Sequence, residues 1–239
     1  MNEPVYLLPV CDTIADAWKK VRGAKATLWG AVFMVGLIGF CFGLIVNLVK
    51  AASPALGGIV GIITQVILFL LQAGFIYISI ERARDLPISF KQVFRGLKYH
   101  YAIRIIGLYL LQMIVLLPVA LLGTASSFIV GPFGLLGTIL MVVCACAGIY
   151  IGIRMVLSIG MVVEKGINPW PAIKLSFKAT QENFWNILIL SVMQGIILFA
   201  GALALLIGLI WALPLVVLCY GVMYTRLQVN LPENENTTS

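Results

Sequence analysis

Charge is what this chain lacks. Only 10% of its residues are Asp, Glu, Lys or Arg, while 62% are hydrophobic and the mean hydropathy is +1.07. A soluble domain carries about 25% charged residues. So few polar side chains cannot cover a globule of 239 residues in water, which excludes a soluble fold and predicts a multi-span membrane protein. Acids are scarcest, nine in all, and none lies deep in an apolar run, where a proton-coupled pump normally keeps one. The one histidine, His100, sits between Tyr99 and Tyr101 and reads as an interfacial anchor. The five cysteines form no C-x-x-C, and Cys144 and Cys146 point about 200° apart on a helix, too far to grip one metal. No phosphate loop or nucleophile motif is present. The expectation is therefore a protein without enzymatic activity, cofactor or metal. The net charge of +7 follows from basic loops and gives no argument for nucleic acid.

What is there is long apolar sequence. Between Lys25 and Lys50 lie 24 residues without charge, and Ala51 to Ile80 gives 30 more. Each holds one helix of about 20 residues across a ~30 Å core. The runs between Arg104 and Arg154 (49 residues) and between Glu182 and Arg226 (43) hold two helices each, with turns expected at Gly123–Pro132 and near Gly208. Six spans follow. Backbone groups must be satisfied internally in lipid, and long continuous runs do not fit a barrel's alternation, so the fold class is all-α.

The Lys and Arg tally orients the chain. Lys19, Lys20, Arg22 and Lys25 precede the first span; Arg82, Arg84, Lys91, Arg95 and Lys98 lie between the second and third; Lys165, Lys174 and Lys178 lie between the fourth and fifth. Lys50 alone falls on the other side. Both termini are expected in the cytoplasm, with Ser127 and Gly208 outside. The N-terminal segment, with Glu3, Asp12 and Asp16 ahead of a span-length run, does not read as a cleaved signal. Residues 227–239 read as a disordered polar tail.

The basic segments share a design. In "SFKQVFRGLKYHY", Phe90, Val93, Phe94 and Leu97 form an apolar stripe opposite Lys91, Arg95 and Lys98, and Ser89 with Gln92 makes a capping-box start. Slid along the chain by one constant offset, Glu81, Lys91, Phe94 and Tyr101 meet Glu164, Lys174, Phe177 and Phe184. A third copy, nearer the N-terminus, sets Ile14, Ala17, Trp18 and Val21 against Lys19 and Arg22. Each copy leads into a span through aromatics, which favour the headgroup level. The predicted architecture is a single six-span domain over 1–226 with three repeats of an interfacial amphipathic helix plus a helical hairpin, at about 12–80, 88–160 and 170–226. Lys19, Arg22, Lys91, Arg95, Lys98, Lys174 and Lys178 are the candidate contacts to anionic headgroups or to a membrane-protein partner.

Ala172, Lys174, Ser176, Phe177, Thr180, Asn183, Phe184 and Trp185 spell A-x-K-x-S-F-x-x-T-x-x-N-F-W. Ahead of them, in "IRMVLSIGMVVEKG", Arg154 stands ten residues before Glu164. Together they resemble the YciC-type bacterial inner-membrane proteins and the related membrane domain of some glycerophosphodiester phosphodiesterases. The motif covers Arg154 to Trp185, and Ile167–Pro171 is richer in proline than that pattern. The resemblance implies a location in the bacterial inner membrane and little chemistry, since the phosphodiesterase domain itself is absent.

Within the apolar runs, Gly57/Gly61 and Gly148/Gly152 make G-x-x-x-G pairs, and Gly36, Gly39 and Gly43 share a face. Close packing inside the bundle is expected there, with self-association into a homo-oligomer as the alternative. The buried polar candidates are Arg154, Glu164, Gln65, Gln72, Gln112 and Asn183. Gln65 and Gln72 share a face and would hydrogen-bond across helices or line a polar passage for a small apolar or amphiphilic solute, the main alternative function. If Glu164 marks the interface, Arg154 lies about 15 Å deeper. There it either snorkels from a span that ends early, or is held by Gln65, Gln72, Gln112 or a lipid phosphate.

Overall fold

The computed structural model describes residues 7–129, 134–203 and 208–228. Among them no strand occurs. The order is α1 (Val10–Val21), α2 (Lys25–Ala52), α3 (Pro54–Ala83), a 3₁₀ helix η1 (Phe90–Leu97), α4 (Tyr99–Ile129), α5 (Leu135–Met155), α6 (Ser158–Lys165), α7 (Pro169–Thr180), α8 (Phe184–Leu203) and α9 (Leu209–Leu227). Six helical segments are long and apolar enough to cross a membrane, as the charge-free runs require: Lys25–Ala52, Pro54–Ala83, Tyr99–Ala125, Gly137–Lys165, Phe184–Leu203 and Leu209–Leu227. The helix α4 runs through most of the stretch expected to turn, and residues 130–132 of that turn lie outside the described residues.

Burial is concentrated at one end. Leu70 to Ile80 of α3, Leu157 to Val163, and Leu215 to Leu227 of α9 supply the core, joined by Ala17 and Val21 of α1, Val93 of η1 and Ala172 and Ala179 of α7. This is the end that carries Lys and Arg. Toward Lys50, by contrast, α2 and α3 turn Leu44, Leu48, Ile59 and Ile62 outward. Twenty helical residues cross about 30 Å. Counted from the turn at Ser53 they reach Ala73; counted from Gly134 they reach Arg154. Beyond those points the chain continues under protein cover. Leu227 is fully buried and Gln228 is hydrogen-bonded, so the fold extends past the expected start of the tail; residues 229–239 lie outside the described residues.

The elbow at 90–97 is a 3₁₀ helix, where the sequence predicts an α-helix. Its capping box forms as expected, with Gln92 accepting from the Ser89 N–H at 2.9 Å. Three residues per turn stack positions i and i+3, so Val93 and Gly96 make one row and are buried against α3. A β-carbon on Gly74 would overlap the Val93 carbonyl, and one on Gly96 the Leu70 carbonyl. Backbones touch here. Of the apolar stripe, Val93 packs against protein, while Phe90, Phe94 and Leu97 are exposed, as are Lys91 and Lys98. The glycine stripes the sequence suggests divide: Gly57 meets the Lys50 backbone of the preceding helix, and Gly39, Gly61 and Gly148 are in ordinary contact with side chains of a neighbouring helix, whereas Gly36, Gly43 and Gly152 have nothing within 4 Å of a would-be β-carbon.

The third hairpin also departs from expectation. Pro214 has no N–H to give the carbonyl of Ile210, four residues earlier in α9. Trp29 fills that vacancy, its indole N–H donating to Ile210 O at 3.1 Å, and the Lys25 ammonium lies 4.4 Å over the Trp211 ring. The first turn of α9 therefore sits beside the first turns of α2, far from Lys50 and roughly 30 Å back along that helix. The other end of α8 starts against the second hairpin, Phe184 lying 5.1 Å from Tyr150.

Candidate functional site

Two polar neighbourhoods sit in the packed end. The first is centred on Glu164, whose side chain is 9% exposed. Its carboxylate pairs with Arg84 from the end of α3 and accepts from Tyr224 Oη at 2.6 Å and Gln228 Nε2 at 3.0 Å. Arg84 also donates to Gln228 Oε1 at 2.9 Å. Arg95 approaches the same turn of α6, donating to Val163 O at 3.1 Å and to Tyr101 Oη at 2.7 Å, with its guanidinium 4.0 Å over the Tyr77 ring. Both oxygens of Glu164 are engaged by groups from distant parts of the chain. This is a clamp, and a carboxylate so held is badly placed to serve as a base. A smaller tie lies nearby on the surface, where the Lys20 ammonium, 2.6 Å away, holds the Asp85 carboxyl below the usual carboxylate range.

The second neighbourhood is the break between α5 and α6. Met155 ends one helix and Ser158 begins the next, which opens backbone groups in a buried place. Ser176 of α7 closes the gap: its hydroxyl donates to Arg154 O at 2.7 Å and accepts from the Leu157 N–H at 3.2 Å. Thr180 stacks behind it on Ser176 O at 2.8 Å. Asn183, fully buried, accepts the Leu8 N–H at 2.6 Å and so ties the start of α1 to the foot of α8. Gln112 of α4 donates to Ser158 Oγ at 3.1 Å. The polar residues of the A-x-K-x-S-F-x-x-T-x-x-N motif thus act on this break and its neighbours. Arg154 stands at the same break, half-buried, with Phe177 5.1 Å and Tyr150 6.0 Å from its guanidinium.

The predicted residues divide accordingly. Glu164, Asn183 and Gln112 are buried or half-buried and bonded. Gln65 and Gln72 are exposed on α3, which corrects their placement inside the bundle and removes them as partners of Arg154. Gln65 borders the cleft between α3 and α4. Of the basic candidates, Lys19, Arg22, Lys91, Lys98, Lys174 and Lys178 are exposed. Arg95 is instead half-buried and turns inward to α6, its guanidinium taken by the Val163 carbonyl. Arg84, Tyr224 and Gln228 hold Glu164 and were not among the site candidates from sequence, whereas Glu164 itself was, from its place ten residues after Arg154 and its alignment with Glu81. An apolar cleft of about 330 Å³ opens between α3 and α4, lined by Ile62, Gln65, Phe69, Ile106, Tyr109 and Met113. Comparison with protein-family models, curated proteins and solved structures gives no match.

Proposed function

We propose that the protein is a non-enzymatic, multipass protein of the bacterial inner membrane whose basic, cytoplasmic end holds anionic lipid headgroups or docks a membrane partner. The observation that carries this reading is the outer face of the packed end. There Lys91, Lys98 and Lys174 are exposed beside equally exposed Phe90, Phe94, Leu97 and Trp170. Rings and aliphatics at the acyl boundary with ammonium groups above them are what an interfacial surface requires. The resemblance of Arg154–Trp185 to YciC-type proteins supports the same location, and three elbow-and-hairpin units remain the architecture we propose for it.

The cleft between α3 and α4 favours a second reading, passage or storage of a small apolar or amphiphilic solute, because the wall it presents is wholly apolar.

Replacing Lys91, Lys98 and Lys174 together with Gln tests the first reading. Each basic residue near an anionic surface contributes about 1 kcal/mol, so preference for phosphatidylglycerol over phosphatidylcholine should fall by roughly a hundredfold in nanodisc exchange followed by native mass spectrometry. Unchanged preference, together with stabilisation by one apolar solute, would transfer the weight to the cleft.

A further inference from the structure

We propose that Arg154 is the seat of one phospholipid phosphate, held where α5, α7 and the start of α8 meet. This deepens the lipid-contact reading above and rests on it.

Among the described residues, no carboxylate pairs with Arg154 and no group is hydrogen-bonded to its guanidinium. Its Nε is covered and has no hydrogen-bond partner. The ion pairs seen among the described residues go to Lys19, Lys20, Arg84 and Arg226, not to Arg154. The amides expected to hold it are elsewhere: Gln112 is bonded to Ser158, and Gln65 and Gln72 are exposed on α3. Its two ring neighbours, Phe177 and Tyr150, fix the guanidinium by their faces and leave its charge in place. Since the residue as a whole is half-buried, the two Nη groups form its accessible edge. A guanidinium with a free edge is a planar, two-pronged donor matched to phosphate oxygens.

Position selects a lipid. Arg154 lies twenty residues past Gly134, the length of one crossing, so it stands at the headgroup level and not at the depth inferred from Glu164. One turn back, Tyr150 meets Phe184, and Phe184 meets Trp185 at 5.3 Å. Tyr150 and Trp185 are exposed and offer an acyl chain an apolar surface next to the cation. The Arg154 carbonyl is already taken by Ser176. The backbone at the break is therefore closed, and only the side chain awaits a partner.

The experiment uses the full chain in nanodiscs of phosphatidylcholine, with and without phosphatidylglycerol, and compares Arg154→Gln and Arg154→Lys with the elbow variant Lys91→Gln/Lys98→Gln/Lys174→Gln. The readouts are the count of lipids surviving extraction in native mass spectrometry and the rise in melting temperature on adding phosphatidylglycerol. Because the rise is a difference within each variant, a change in starting stability does not obscure it. One tightly retained phospholipid is expected in the parent and in the elbow variant. It should be held at least tenfold more weakly in Arg154→Gln and intermediately in Arg154→Lys, which keeps the charge but loses the fork. Equal retention by Arg154→Gln overturns the proposal while leaving the elbow reading standing if the elbow variant alone loses its preference; equal retention by every variant removes both. Inorganic phosphate giving the same Arg154-dependent rise in pure detergent would overturn the lipid as the source.

Discussion

Ser176 shows how much one hydroxyl can hold. It is fully buried and serves both a carbonyl and an N–H left open by the interruption between α5 and α6. Ser176→Ala would strand the Leu157 N–H and leave the Arg154 carbonyl only the long contact from Thr180 Oγ1 at 3.5 Å, at a cost of about 1–3 kcal/mol per buried group. Ser191→Ala makes the comparison, because Ser191 bonds only within its own helix, to Ile187 O at 2.8 Å, and is exposed. Chemical denaturation in mixed micelles is expected to separate the two by at least about 1 kcal/mol; equal stability would mean the interruption closes without α7. Glu164 works differently. It was visible in the sequence as an acid at an apolar boundary, but its partners come from elsewhere: Arg84 from the end of α3, Tyr224 and Gln228 from the end of α9. No local pattern joins them.

At the level of the element, the spans and the basic segments were legible, because hydropathy and charge act on every turn of the chain. The winding of η1 was not. Phe90, Val93, Phe94 and Leu97 satisfy an α-helical stripe, yet contact with α3 through Gly74 and Gly96 rewards a tighter winding that sets Val93 and Gly96 in line. Local pattern and tertiary contact compete over eight residues, and contact prevails, since so short a helix has little stability of its own. Gly74→Ala puts a methyl group into the Val93 carbonyl and should destabilise by about 2–3 kcal/mol. Gly36→Ala, facing open space in α2, should change stability by less than about 0.5 kcal/mol. Similar melting temperatures for the two variants in the same detergent would show that η1 does not rest on α3 as described. The motif around α7 was readable in a different sense: its residues were recognisable before their task was, because closing a break in another helix leaves no periodic trace.

At the scale of the whole molecule, six helices among the described residues are long and apolar enough to cross a membrane, but the third hairpin does not mirror the first two. With Trp29 on the Ile210 carbonyl and Lys25 over Trp211, the start of α9 belongs to the basic end. In a chain whose native cysteines are replaced by alanine, Leu209→Cys is expected to react with an impermeant maleimide from the same side as Lys91→Cys, and Lys50→Cys from the opposite side. Labelling of Leu209→Cys together with Lys50→Cys would restore a full crossing by α8 and α9.

The packed end has a further consequence, for biogenesis. Its centre is α9, which lies against α1 and α3, and most of the chain is made between Val21, where α1 ends, and Leu209, where α9 begins. At ~5–20 residues per second of synthesis, α1 waits roughly 10–40 s on the membrane surface before the helix that covers Ala17 and Val21 leaves the ribosome. During that interval the part of the apolar face of α1 that α9 will take, which α2 and α3 do not cover, is left to lipid. The nascent chain is thus held by the bilayer before it is held by itself, and insertion precedes folding as a separate stage.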